Sequence, residues 1–465
     1  MVAEMKKRVA VIGAGPSGLS LLRAFDSAAE KGAEIPEIVC FEKQGEVGGL
    51  WKFEEGKGVD EHGEIVHGSM YRDLYINGPK EVNEYVDYSF EEHFGKVIGS
   101  YPPRPVLLSY IRGRAEKYNL CAKFSVRFNS SVSKISYSED TAKFTVTVKD
   151  RSTARNGTEA KVYSEDFDHV VVAVGHFSTP NVPQFPGLEA FKGSVLHAHD
   201  VRDLSEFRGM DVLLVGSGYT AEDIACQCFK LGAASVTITF RSNPTGCCNW
   251  PESIKEVPLL ERVDSNGRTC HFKDGSSKDV DAIILCTGYL HDFPFMVGDE
   301  LRLVAGNRMW PLGLYQGVVL ETHPKVFYLG MQAQFYSFTM FDAQAWYVRD
   351  VIMGRLTLPS STEEMVAHSR KWREAELAAL AKLDVKPFQG DYVKELIRHT
   401  DCPITPEFVD KTQQMGVDWD KHKALDIMSY RDHAFVSAVT GNLARTHHTP
   451  WMQNFDDSLE SYVNF

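Results

Sequence analysis

The chain runs to 465 residues, too many for one simple core and suited to two or three domains. Its hydrophobic fraction of 43% and charged fraction of 24% are those of an ordinary globular protein. With 50 Lys and Arg against 63 Asp and Glu the formal net charge is −13, which argues against nucleic acid as a partner and leaves no basic surface for anionic lipid.

Any anionic ligand must therefore be held by local groups, and the N-terminus offers some. RVAVIGAGPSGLSLL, Arg8 to Leu22, is a β-branched run that turns through glycines into a helix. Basic residues ahead of it give the outline of a secretory signal. Three glycines at the spacing of a phosphate-binding turn break the apolar run, and we reject that reading. Gly13 permits the tight turn, and Gly15 lets the backbone approach a pyrophosphate. Gly18 lets the helix sit close to the sheet, with its positive N-terminus toward the phosphates. EIVCFEKQ is the next strand and brings up Glu42, whose carboxylate can accept from both ribose hydroxyls and would repel a 2′-phosphate. This site predicts FAD or NAD, not NADP.

The stretch from about Gly45 to Pro105 is rich in Gly, Tyr, Trp and Asn and too long to be an idle connection, so it is expected to wrap a ligand. KFTVTVKD, Lys143 to Asp150, alternates like an antiparallel strand. DHVVVAVGHFSTPNVP is then a strand that ends at Gly175 and runs into prolines, and DVDAIILCTGYLHDFPF repeats that arrangement much later. Between them VLLVGSGYTAEDIA, Val212 to Ala225, forms a second glycine turn with Gly216, Gly218 and Ala221. Its following strand, SVTITF, ends in Arg241 and Ser242, where the first site has its acid. A guanidinium and a hydroxyl at that edge suit the 2′-phosphate of NADP, although a surface arginine capping a strand is the plainer alternative.

The predicted fold is α/β with two Rossmann-like, three-layer dinucleotide-binding domains. The NADPH domain, residues 181–294, is inserted in a discontinuous FAD domain, residues 1–180 and 295–465, and the two narrow crossings form a hinge. The C-terminal third, with segments such as STEEMVAHSRKWREAELAALAKL, is helical and expected to pack back on the first domain. A site for each coenzyme implies hydride transfer from nicotinamide to flavin.

Nine scattered cysteines without a CxxC, including the adjacent Cys247 and Cys248, read as structural thiols of a reducing compartment. HAHD at His197 and the pair His447-His448 lack metal-ligand spacing, so no metal is expected. NSS at Asn129 and NGT at Asn156 fit a glycosylation pattern that is idle without secretion. No apolar run reaches spanning length, and a soluble cytoplasmic protein without a membrane partner is expected.

At this point the motifs resemble those of the flavin-containing monooxygenases, most closely the soluble bacterial branch that oxidises trimethylamine. FKGSVLHAHDVRD, Phe191 to Asp203, is similar to the family's FxGxxxHxxx(F/Y) fingerprint, with Phe191, Gly193 and His197 in place and Val201 at the aromatic position. LCTGY, GGLW, MYRDLYINGPKE, SYPPRPVLLSYI, GMQAQFYSF and HHTPW match as well, so the resemblance spans nearly the whole chain. It implies that NADPH reduces FAD and that O₂ gives a C4a-hydroperoxyflavin protected by NADP⁺. A soft nucleophile, a tertiary amine such as trimethylamine or a sulfide, then takes the distal oxygen. The cofactor carries the reactive oxygen, so the protein has to exclude water and hydrogen-bond the adduct.

By resemblance Asn77 supplies that hydrogen bond, with an Asx turn before Gly78-Pro79 as its alternative, and Tyr219 lies beside NADP and the substrate. Ser17, Gln44, Leu50, Trp51, His67, Val132 and Gln334 are carried over as FAD contacts. Tyr75, Ser217, Thr220, Asn243 and Arg431 are carried over as NADP contacts. The resemblance also suggests a homodimer. Other readings are a flavin reductase or oxidase, a Baeyer–Villiger monooxygenase acting on ketones, and a non-catalytic NADP(H) sensor.

Overall fold

The computed structural model describes residues 6–60, 63–152, 160–246, 249–306, 308–382 and 385–464. Cys247, Cys248 and the NGT at Asn156 lie outside them.

The first glycine turn sits at the centre of a seven-stranded sheet. From one edge its strands are Leu314–Tyr315, Val319–Leu320, Val326–Tyr328, His169–Val172, Arg8–Ile12, Glu37–Phe41 and Ser125–Arg127. The last five pair in parallel, with Val11 beside Cys40 on one side and Val171 on the other. Both faces of His169–Val172, Arg8–Ile12 and Glu37–Phe41 are covered, which is why they read as apolar runs and not as alternation. Pro16 opens the helix Pro16–Glu30 at a position where its missing N–H costs nothing. That helix packs on the C-terminal helix Ser337–Ile352, whose Arg349 Nη1 donates to Ala24 O at 3.2 Å. The alternating stretch forms a three-stranded antiparallel sheet, Ser130–Ser138, Lys143–Asp150 and Lys161–Phe167, packed over the other face.

A second sheet repeats the design. Its order is Ile254–Pro258, Ser235–Phe240, Asp211–Val215, Ala282–Leu285 and Ser194–His197, all parallel. Every strand of it lies between two crossings of the chain, and the inserted Rossmann-like unit is realised. The crossings are stitched together: Thr179–Pro180 pairs with Tyr289–Leu290, and Asn181 N donates to Gly288 O at 3.0 Å. Thr287 Oγ1 returns a hydrogen bond to Asn181 O at 2.5 Å. The fingerprint explains itself here. A Cβ on Gly193 would stand 2.1 Å from Asp281 O, and His197 Nε2 lies 3.0 Å from Gly288 O.

The C-terminal third is helical, as expected, with Thr362–Lys382, Val385–Ile397 and Pro406–Leu425 following Ser337–Ile352. It does more than return to the first unit. Helix Tyr219–Lys230 of the inserted unit is bolted to it through Glu222–Lys423 and Asp223–Arg431. The Lys230 ammonium lies over Trp451 at 4.6 Å, with Phe455 and Tyr75 also facing it. Two crossings alone therefore do not describe how the units are joined. Long-range pairs of this kind leave no periodic trace in a sequence.

No helix among the described residues is long and apolar enough to cross a membrane. Among the same residues no group of three His, Cys, Asp or Glu side chains could hold a metal.

Candidate active site

At the carboxyl end of the first sheet lies a cavity of about 550 Å³, a size that suits a cofactor. The glycine turn forms its floor. Gly13 has φ +103°, and a Cβ there would stand 2.7 Å from Ala173 O. Gly15 faces the Gly49 backbone, so GGLW closes over the turn. Gly18 does not line the cavity. A Cβ there would meet Gly13 O at 2.0 Å, so its role is to let the helix come up beneath the turn.

Glu42 is buried at the cavity wall and does two jobs. Oε2 accepts from Ala14 N at 2.6 Å and Oε1 from Gln44 N at 2.8 Å, which pins the turn. A carboxylate has lone pairs to spare for a ribose beyond these two. Burial pushes its carboxyl above the ordinary range, against the pull of the two N–H groups.

Ser17, Gln44, Leu50, Trp51, His67, Val132 and Gln334 all line this one cavity, although they come from six separated segments. Several of its polar atoms are buried without a protein partner: both amide atoms of Gln44, Oε1 of Gln334 and Nε2 of His176. Each such atom costs about 1–3 kcal/mol unless something satisfies it. A cradle of glycines for phosphates, a carboxylate for a ribose and amides seeking partners fit a flavin dinucleotide. Sequence reasoning missed His176, which stacks on His291 of the other crossing at 4.5 Å, and Phe338 and Phe341 at the start of helix Ser337–Ile352. Phe338 closes the quoted segment GMQAQFYSF and His176 follows Gly175 in the first strand-Gly-Pro passage, but an apolar ring or a lone histidine in such a segment does not announce a cavity wall.

Burial holds His67 and His176 of this cavity, and His197 at the end of strand Ser194–His197, below their usual range: about 4, about 3 and about 4. Their folded values lie below the unfolded value of roughly 6.5, so the unfolded chain binds more protons between pH 4 and 6.5. Stability is full above pH 6.5 and falls as pH drops through that window. The mid-point of urea unfolding is expected to decline steadily from pH 7 to pH 4.5, and a flat profile would contradict this.

The second glycine turn copies the first. Gly216 has φ +123°, and a Cβ there would stand 2.3 Å from Cys286 O, while Ala221 fits in full burial. Around Gly218 the space is open, and it leads into helix Tyr219–Lys230. Ser217 Oγ donates to Asn243 O at 2.9 Å, which ties the turn to the exposed group Arg241, Ser242 and Asn243; Thr220 is exposed too. Tyr219 is 54% exposed, beside Trp419 at 5.9 Å and the Lys423 ammonium at 4.8 Å.

Three residues stand elsewhere. Tyr75 is buried, and its hydroxyl donates to Asp456 O at 2.8 Å and accepts from Asn454 Nδ2 at 3.1 Å. Arg431 is buried against Asp223, and its Nε donates to Ile76 O at 3.2 Å. Asn77 follows directly, exposed and outside the cavity lining. An Asx turn from Asn77 would need the N–H of residue 79, a proline, and the Lys80 N–H goes to Ser100 O. The turn alternative fails on this chemistry.

The profile of flavin-binding monooxygenase-like proteins matches residues 6–246 and 258–403. The chain belongs to that family. It is 54% identical over 457 residues to a trimethylamine monooxygenase of Methylocella silvestris, covering 98% of both chains. A trimethylamine monooxygenase of Roseovarius nubinhibens is 54% identical over 462 residues, 99% of this chain and 100% of that one. The crystal structure of Tmm from Pelagibacter sp. superposes with a TM-score of 0.91 at 46% identity, covering 98% of this chain and all of that one. S-allyl-L-cysteine S-oxygenase from Allium sativum follows at 0.76 and 25%, covering 92% and 95%. The protein is a flavin-dependent monooxygenase with FAD and NADPH as its cofactors.

Proposed function

We propose that the protein transfers oxygen to the nitrogen of small tertiary amines, with trimethylamine as a substrate, using NADPH and O₂. The observation that carries this reading is the whole-length identity with trimethylamine monooxygenases, joined to a cavity whose walls suit a flavin. A bound flavin accepts the hydride and activates dioxygen. The chain's own residues then have to hold, orient and keep dry. Gly13, Gly15, Ser17, Glu42 and Gln44 hold the dinucleotide in this reading, and Gln334 and His67 offer polar atoms to it. Arg241 and Ser242 take the coenzyme's 2′-phosphate. Tyr219 and Trp419 offer aromatic faces next to the coenzyme turn, which suits a cationic or methylated amine. Asn77 supplies an amide that donates and accepts without a labile proton.

Purified protein given NADPH and trimethylamine in air should form one N-oxide per NADPH consumed, followed by proton NMR. NADPH consumption indifferent to the amine, with all electrons recovered as hydrogen peroxide, would favour the reductase reading instead. Within this scheme Asn77→Ala should release several-fold more peroxide per NADPH, about 1–3 kcal/mol for one lost hydrogen bond to a buried group. Arg241→Ala should raise the KM for NADPH about tenfold or more while leaving NADH within about twofold, since only NADPH carries the phosphate. Equal losses for both coenzymes remove the Arg241 assignment.

Sulfide oxygenation is the second activity, favoured by the likeness to the Allium S-oxygenase. A cytoplasmic homodimer completes the reading. The outer face of helix Thr362–Lys382 exposes Val366, Leu377 and Leu380, and light scattering should give twice the chain mass.

A further inference from the structure

The cavity wall around His67 is fastened from an unexpected direction. Glu64, Ile65 and His67 line the cavity, and the carbonyls on either side of His67 are taken by residues that follow the edge strand Ser194–His197 of the second sheet. His199 Nε2 lies 2.9 Å from Val66 O, and Arg202 Nη2 donates to Gly68 O at 2.9 Å. Arg202 is 4% exposed, and the described residues give it no ion pair. It spends its fork on carbonyls alone: Gly56 O from Nε at 3.1 Å and Nη2 at 2.5 Å, and His199 O and Val201 O from Nη1 at 2.6 and 2.9 Å. Asp200 Oδ1 adds the N–H of Gly58 at 3.1 Å and His199 Nδ1 at 2.9 Å. On the flavin side Lys43 Nζ donates to Ile65 O at 2.8 Å and Ser131 Oγ to Glu64 Oε2 at 2.9 Å.

A buried guanidinium that collects four carbonyls from three separate turns of chain fixes their mutual positions, because its five donors lie in one rigid plane. A lysine cannot copy that geometry. The fingerprint FKGSVLHAHDVRD thus ends in a device that grips the flavin wall, although none of its residues after His197 touches the cavity. We propose that Arg202, assisted by His199, is a positioning residue that clamps the His67 wall of the flavin cavity to the inserted unit and thereby sets how tightly FAD is retained. The inference rests on the flavin reading of the cavity.

Release of FAD from the holoenzyme tests it, followed by the rise in flavin fluorescence on dilution. Arg202→Met should speed release about tenfold or more, and His199→Phe, which removes the ring contacts to Val66 O and Asp200, about threefold or more. His199→Gln, which can still donate to Val66 O, should stay within about twofold of the parent. With FAD in excess, NADP⁺ affinity should change less than about threefold in all three, a split that general destabilisation does not produce. Amide exchange at Ile65–Gly68 should quicken in parallel with FAD loss. A folded Arg202→Met that keeps the parental release rate overturns the proposal, as do equal effects of Phe and Gln at His199. The His199 pair decides the matter where Arg202→Met does not fold. A parent protein that is colourless and takes up no FAD overturns the flavin reading itself, an outcome distinct from unchanged release.

Discussion

Gly18→Val should purify without flavin. Even the first carbon of the new side chain would stand 2.0 Å from Gly13 O, which is backbone and has nowhere to go: Gly13 itself sits against Ala173 O. The helix Pro16–Glu30 has to back away from the sheet, and its N-terminal N–H groups leave the position the phosphates need. Overpacking of this kind costs about 1–3 kcal/mol in stability, and withdrawing the helix N-terminus removes the N–H groups that the phosphates need. The ratio of absorbance at 450 nm to that at 280 nm reads the result. Gly306→Ala is the control, since the added Cβ would meet nothing closer than Arg308 Cγ at 3.8 Å. A yellow Gly18→Val protein would mean that the turn is not the dinucleotide floor.

The second large effect is on stability. Arg114, on helix Arg104–Lys117, is buried and forks onto Asp342 of helix Ser337–Ile352 at 2.9 and 2.8 Å. Its Nε reaches Asp87 at 3.0 Å, and the guanidinium lies 3.8 Å from the Tyr85 ring. Arg114→Leu leaves Asp342 buried without its cation, a change that costs about 3–5 kcal/mol. Urea unfolding of the holoenzyme should register the loss. Arg114→Leu with Asp342→Leu together should recover most of it, because the pair in a buried setting contributes little beyond mutual compensation. A double variant no better than the single one would place the strain elsewhere, at Asp87.

Both glycine turns were legible in the sequence because their logic is local: strand, turn and helix follow within a few residues, and Glu42 ends the very next strand. The cavity-lining residues expected beyond the turn and Glu42 came from resemblance, not from pattern, since Val132 and Gln334 lie far from the turn. What stayed hidden depends on pairs distant along the chain. Nothing near Arg431 announces Asp223, and nothing near Tyr75 announces Asn454 or Asp456. The Tyr75 hydroxyl is engaged within the protein, whereas Arg431 keeps a buried Nη1 without a protein partner beside its contacts to Asp223 and Ile76. Arg202 escaped for the same reason: its partners are carbonyls, which every residue type presents alike.

The discontinuity of the first sheet bears on how the molecule is made. His169–Val172 forms one flank of Arg8–Ile12, yet its own outer neighbour, Val326–Tyr328, and the cover helix Ser337–Ile352 leave the ribosome only after the whole of the second sheet. Until then the N-terminal strands have one open edge and an uncovered helix. The second sheet, contiguous from Ser194 to Leu285, meets no such delay and should reach its native form first during translation.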